Sequence, residues 1–367
     1  MTPEELRALV PAALDAVYLD TATYGPAAVP TADAVHAFTD AWSHGATRFE
    51  VWDGAVNECR DLFAALLNAS PDDIAIQPFV STAAGTLAVQ LQPGDRVVVN
   101  EMEFGSNIWP WLYQRDRGVE VAVVLSSGGR CRLEDYESAI SGRVTVVAVS
   151  AFQSSNGWRA PLRELAGLAR AAGGMLFVDA CQGAGCVRLD PAVDGFDLLA
   201  TDSYKWLMGP RGAGYLYLSP AARERFRPVL IGPHAGRSRL GAYYGPVMEL
   251  SETASRFDSS PSWISMAGDR QALGLIRAIG IEAIEAHDMR LADRFRRGVA
   301  KLRLETPDFP EAERSPVVAL SLDDPEAAVD RLSRAGVIAA RRATGVRFSF
   351  HAFNNDTDVD RALEALA

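Results

Sequence analysis

The chain has 367 residues, of which 48% are hydrophobic and 23% charged, with a formal net charge of -11. That is enough apolar material for a large core and two domains, and without a basic run it argues against nucleic acid or an anionic membrane as partner. Four scattered cysteines (Cys59, Cys131, Cys181, Cys186) exclude a disulfide framework, and the five histidines show no metal-ligand spacing.

The N-terminus, from Met1 through Glu4 and Glu5 to Arg7, carries acids where a signal peptide needs bases. No apolar run reaches membrane-spanning length, so a cytoplasmic protein is expected. From about residue 70 to 220, short apolar runs alternate with helical stretches. The predicted strands are Arg96–Asn100, Val119–Leu125, Val144–Phe152, Met175–Ala180 and Ala213–Leu218. Their unbroken apolar character suits strands buried on both faces. Between two of them, Pro161 opens a helix whose Leu162, Leu165 and Leu168 share one face, and Gly173-Gly174 closes it. Such alternation predicts an α/β fold with a mostly parallel sheet.

The stretch Ile231–Trp263, rich in glycine, proline and aromatics, breaks this rhythm and reads as a long functional loop region. A long amphipathic helix over Met266–Leu302 is expected next. A smaller α+β unit follows, with a helix at Asp324–Ala335, a strand at Gly345–Phe350 and a closing helix at Asp356–Ala367. The expected division is a large domain over 16–245 and a small one over 246–367, with residues 1–15 packed against the latter.

The chemistry concentrates between Phe177 and Leu218. Asp179 ends an apolar run, Gln182 follows three residues later, and Lys205 follows Asp179 by 26 residues. Beside Trp206 and Leu207, Lys205 is expected to have a depressed pKa, since desolvation disfavours the ammonium and leaves an amine able to attack an aldehyde. A glycine-rich turn, Gly209-Pro-Arg211-Gly212-Ala-Gly214, comes next. This segment resembles the fold-type-I pyridoxal-phosphate (PLP) enzymes of the class-V aminotransferase group, and the resemblance runs from Tyr18–Gly25 to Arg347–Asn355.

The resemblance implies roles. Lys205 holds the cofactor as a Schiff base and moves the substrate α-proton. Asp179 pairs with the pyridine nitrogen and keeps the ring an electron sink. Gln182 donates to the phenolic oxygen. Ser81, Thr82 and Ala83, opening an apolar helix, cradle the phosphate, with Ser203 and Tyr204 beside them in a Ser-Tyr-Lys run similar to kynureninases. Ser260 matches a position that reaches the phosphate of the neighbouring subunit, which implies a homodimer with a shared active site. Phe104 stands where desulfurases stack a histidine, so it stacks without shuttling protons. Arg347 forks onto the α-carboxylate of an amino-acid substrate. Tyr24, Trp52 and the Ile231–Tyr244 loop are expected pocket walls.

No cysteine follows Cys186, which disfavours a persulfide-forming desulfurase. Only the Ser-Tyr-Lys run resembles kynureninases closely. The chain looks most similar to ergothioneine-type carbon–sulfur lyases and isopenicillin-epimerase-like proteins, which implies β-elimination from a cysteine S-conjugate, or else transamination, epimerisation or decarboxylation of an amino acid. A non-catalytic nucleotide-binding module on the same sheet is the reading from another class. The absence of Gly-x-Gly-x-x-Gly after the first clear strand counts against it.

Overall fold

The computed structural model describes residues 1–46, 48–140, 142–238, 240–342 and 345–367. The strands, in chain order, are β1 (Val17–Tyr18), β2 (Ile74–Ile76), β3 (Arg96–Asn100), β4 (Glu120–Val124), β5 (Val146–Ser150), β6 (Met175–Asp179), β7 (Leu198–Asp202), β8 (Gly214–Leu218), β9 (Val317–Ser321), β10 (Val337–Ile338), β11 (Ala340–Arg342) and β12 (Gly345–Ser349). A seven-stranded sheet in the order β2-β8-β7-β6-β5-β3-β4 forms the centre. Its strands β3 to β7 run parallel, and β8 is antiparallel to both of its neighbours.

Residues of β5 and β6 are buried throughout. Alternate side chains feed two separate cores, one on each face of the sheet. Val147, Val149, Leu176 and Val178 enter one; Val146, Ala148, Met175 and Phe177 enter the other. That is the period-2 geometry of a strand covered on both sides, and it explains the unbroken apolar runs. The strand β7 was not expected; Leu-Leu-Ala-Thr-Asp has only one β-branched residue to announce it.

A second sheet, β11-β12-β9, packs with the helices Ile281–Lys301 and Asp356–Leu366 around a third core. Two packings cross the expected domain limits. Val17 and Leu19 belong to this third core, and β1 pairs with β10. Conversely, the helix Trp263–Ile279 packs on Val29–Ser43 and Phe49–Leu66, and Phe257 enters a core of the large sheet. The single long helix expected over Met266–Leu302 is two, Trp263–Ile279 and Ile281–Lys301. Gly280, at φ 91, breaks it. The Ile231–Trp263 stretch holds three short 3₁₀ turns. Among the described residues, no helix is long and apolar enough to cross a membrane.

The chain runs from β3 outward to β4 and returns to β5 on the other side of β3. This reversal is a topological switch point, where the loops after neighbouring strands splay apart and open a crevice at their carboxyl ends.

Candidate active site

A cavity of about 310 Å³ lies at that crevice. Its walls come from the carboxyl ends of four strands. Phe104 and Ser106 follow β3; Ser150, Phe152 and Ser154 end or follow β5; Asp179, Cys181 and Gln182 end or follow β6; Asp202, Tyr204 and Lys205 end or follow β7. Phe79, Ser81 and Arg211 complete it.

Lys205 is 7% exposed, and its Nζ stands 5.5 Å from the ring centres of both Phe104 and Tyr204. The segment around Gly25 fixes the backbone beneath it. The Gly25 N–H donates to Tyr204 O at 2.8 Å, and a Cβ on Gly25 would lie 1.9 Å from Lys205 O. No side chain is possible there, so this glycine is what lets the N-terminal segment lie against the lysine turn. Behind the lysine, Trp206 Nε1 donates to Gln182 Oε1 (2.6 Å), and Gln182 Nε2 donates to Ala22 O (2.8 Å). Buried His351, bonded to Asp288, also bridges to Trp206 O at 2.9 Å. Residues from four distant parts of the chain thus hold one short turn.

Asp179 forms the floor. Burial pushes its carboxyl up to about 7, against the Cys181 N–H bond and the Lys205 charge, which pull it down. The expected depression of the Lys205 pKa is not what the structure gives. Desolvation does lower it, but Cys181, Tyr204, Asp179 and Asp202 together raise it above the usual lysine range. The apolar neighbours in sequence outlined the first effect; Cys181 and Asp179, brought in by folding, together with nearby Tyr204 and Asp202, reverse the sign.

The structure gathers Ser81, Phe104, Asp179, Gln182, Tyr204 and Lys205 around one space. Phe104 is 55% exposed, so it is not core. Tyr24 lies at the edge, its ring centre 5.2 Å from that of Tyr204. Arg347 is fully buried one shell out, donating to Ser154 O (2.7 Å), Thr23 Oγ1 (2.6 Å) and Asp20 Oδ1 (3.2 Å).

Other expected residues lie elsewhere. Ser203 is buried with its hydroxyl bonded to Asp269, away from the cavity that Tyr204 and Lys205 line. Ala83 is buried in a core, and its N–H closes the first helical turn on Phe79 O. Thr82 N–H also donates to Phe79 O. Trp52 joins an aromatic cluster with Phe38, Phe49 and Trp263 instead of the cavity. Ile231, Gly232, Pro233 and Tyr243 line a separate surface cleft; Arg239 of that loop lies outside the described residues. Ser260 is exposed. The sequence reading missed Asp202 and Arg211. Asp202 ends a strand that was not expected, and nothing in a Gly-Pro-Arg-Gly turn marks its arginine as cavity-facing.

A buried carboxyl desolvated to near neutrality suits a ring N–H partner, an aromatic ring stands over the lysine, and Ser81, Tyr204 and Arg211 supply donors for a phosphate. These residues fit PLP. The class-V aminotransferase family model matches residues 17–362, and the chain belongs to that family of PLP-dependent enzymes. It is 26% identical to an uncharacterized aminotransferase of Bacillus subtilis over 100% of this chain and 97% of that protein. A probable cysteine desulfurase of Methanothermobacter thermautotrophicus is 28% identical, covering 82% of this chain and 77% of the relative. Two solved structures share the fold. A cysteine desulfurase from Thermococcus onnurineus has a TM-score of 0.86 at 23% identity, covering 100% of this chain and 97% of its own. The cystine C–S lyase C-DES, with its product cysteine persulfide, has a TM-score of 0.87 at 18% identity, covering 97% and 98%.

Proposed function

We propose that this enzyme is a carbon–sulfur β-lyase acting on a cysteine S-conjugate. The observation that carries the reading is the state of the thiols. All four cysteines are free and buried. Cys181 alone among them lines the cavity, and burial, then Asp179 and Asp202, push its thiol well above the usual range. No histidine lines the cavity among the described residues. The lining residues offer no reactive thiol to accept sulfur, which disfavours a persulfide mechanism and supports a reading in which the sulfur leaves as an anion of its own.

Bound PLP supplies an aldehyde carbon for Lys205 and an electron sink for charge developing at the substrate Cα. Lys205 Nζ is the base placed to accept the α-proton of a bound substrate. In the lyase reading the Cβ–S bond would break with its electron pair on sulfur, and hydrolysis of the remaining carbon skeleton would give pyruvate and ammonia. Asp179 would pair with the ring nitrogen, the free Gln182 amide hydrogen would reach the phenolic oxygen, and Phe104 would stack on the ring. Ser81, Thr82 and Tyr204 hydroxyls would meet the phosphate, Ser260 would reach that of a partner subunit in a homodimer, Tyr24 would flank the substrate, and Arg347 would serve its carboxylate by giving up bonds to Ser154, Thr23 and Asp20.

Incubation with cysteine S-conjugates and no added keto acid should release thiol and pyruvate in equal amounts. Pyridoxamine phosphate accumulating alone would make the enzyme an aminotransferase instead. Lys205→Ala should cut turnover by about 10³-fold or more; a visible cofactor band that survives it unchanged would place the attachment elsewhere.

A further inference from the structure

The helix Val80–Ala88 points its N-terminus at the cavity, the usual place for a phosphate. Here two of its first-turn donors are already taken: Val80 N–H donates to Asp202 Oδ1 at 2.8 Å and Thr82 N–H to Phe79 O at 3.0 Å, while Ala83 N–H makes the ordinary first helical bond to Phe79 O. Asp202 also brings a carboxylate to the spot a dianion would occupy. Burial raises the Asp202 pKa, while the Val80 bond, Lys205 and Arg211 draw it down. A phosphate seated here meets one negative group and few backbone donors, so it needs a cation.

Apart from Lys205, Arg211 is the one cationic side chain lining the cavity among the described residues. Its guanidinium lies 5.7 Å from the Phe79 ring centre and 5.2 Å from that of Tyr204. Phe79 is the residue that caps the helix, so Arg211 stands beside the helix N-terminus. No hydrogen bond or ion pair engages its guanidinium among the described residues, and the residue is exposed. Arg347 is spoken for by Ser154, Thr23 and Asp20 and is not itself among the lining residues. An arginine pre-oriented by two aromatic faces, with its donors free, suits bidentate capture of an oxyanion.

We propose that Arg211 is the phosphate clamp of this cavity, offsetting Asp202 and replacing the committed N–H groups of the helix. The proposal rests on the PLP reading of the site. It distinguishes PLP from pyridoxal, which has the same aldehyde and ring but no phosphate.

The test is a titration of cofactor-free protein with PLP and, separately, with pyridoxal, followed by the absorption of the bound aldehyde. Arg211→Ala should weaken PLP about 10- to 100-fold, the cost of one charge-assisted pair, and leave pyridoxal within about twofold. Asp202→Asn keeps an oxygen for Val80 N–H but removes the charge, and should tighten PLP without affecting pyridoxal. Equal loss of both ligands in Arg211→Ala, or no loss of either, overturns the clamp. So does an unchanged PLP affinity with a raised substrate KM, which would make Arg211 a substrate anchor. If wild-type protein binds neither aldehyde, the PLP reading itself fails, and the clamp with it.

Discussion

The two arginines at the site differ in what folding has done with them. Arg347 is fully buried, and its Nη groups are shared among Ser154, Thr23 and Asp20, residues from two other segments. Burial, then the Arg342 charge, brings its pKa down to about 10, with Asp20 opposing, so it stays charged near neutral pH. Arg211 is exposed and leans on two aromatic rings. One guanidinium is part of the scaffold that joins the N-terminal segment, the β5 loop and β12; the other is available to a ligand. A cation that holds the protein together is costly to remove, while a cation waiting for an anion is felt only when the anion comes.

The strongest way to break this comparison is Arg347→Ala. It strands the Asp20 carboxylate and the Ser154 carbonyl, and should cost about 3–5 kcal/mol in chemical denaturation, along with substrate binding. A variant that keeps wild-type stability and loses only substrate affinity would put Arg347 in the same class as Arg211. Asp179 offers a test of intermediate size in the cofactor-free protein. Its pKa is about 7 in the folded chain against 3.8 for a free aspartate side chain. Between about pH 4 and pH 7 the folded state therefore binds more protons, so stability falls as pH rises and levels off above pH 7. Asp269 and Asp288, both raised by burial to about 6, add slopes of the same sign. Asp179→Asn should flatten part of this slope, gaining roughly 1–4 kcal/mol at pH 8 and little at pH 4, as urea midpoints at the two pH values would read. The same variant should lose turnover, having no carboxylate for the ring nitrogen. An unchanged slope would mean the Asp179 carboxyl is already ionised near pH 5. The smallest effect is expected of Arg211→Ala on stability, within about 0.5 kcal/mol in the same cofactor-free protein. A larger loss would mean its stacking on Phe79 and Tyr204 is structural.

Much of the fold was legible because a strand buried on both faces needs an unbroken apolar run. β3, β5 and β6 declared themselves this way, within a few residues at each end. The strand β7 did not, having one β-branched residue in Leu-Leu-Ala-Thr-Asp, and with it went the notice of Asp202. The single helix expected across Gly280 shows the opposite error, a periodic pattern that continues through a break in the backbone. At the site, Asp179, Gln182 and Lys205 were readable because they share one continuous strand–turn–strand segment with fixed spacing.

What depended on direction, charge or partners from afar was not readable in this way. Ser203 and Tyr204 are adjacent, yet one hydroxyl faces Asp269 and the other residue lines the cavity. The sequence by itself determined the sheet, through local patterns of burial, and the family, through the resemblance carried by the Asp179–Lys205 segment. Tertiary structure alone decided that Lys205 sits among acids and that Arg347 is committed while Arg211 is free. Electrostatic environment sums over groups such as residues 20, 79, 154 and 202, which only the folded chain brings within reach.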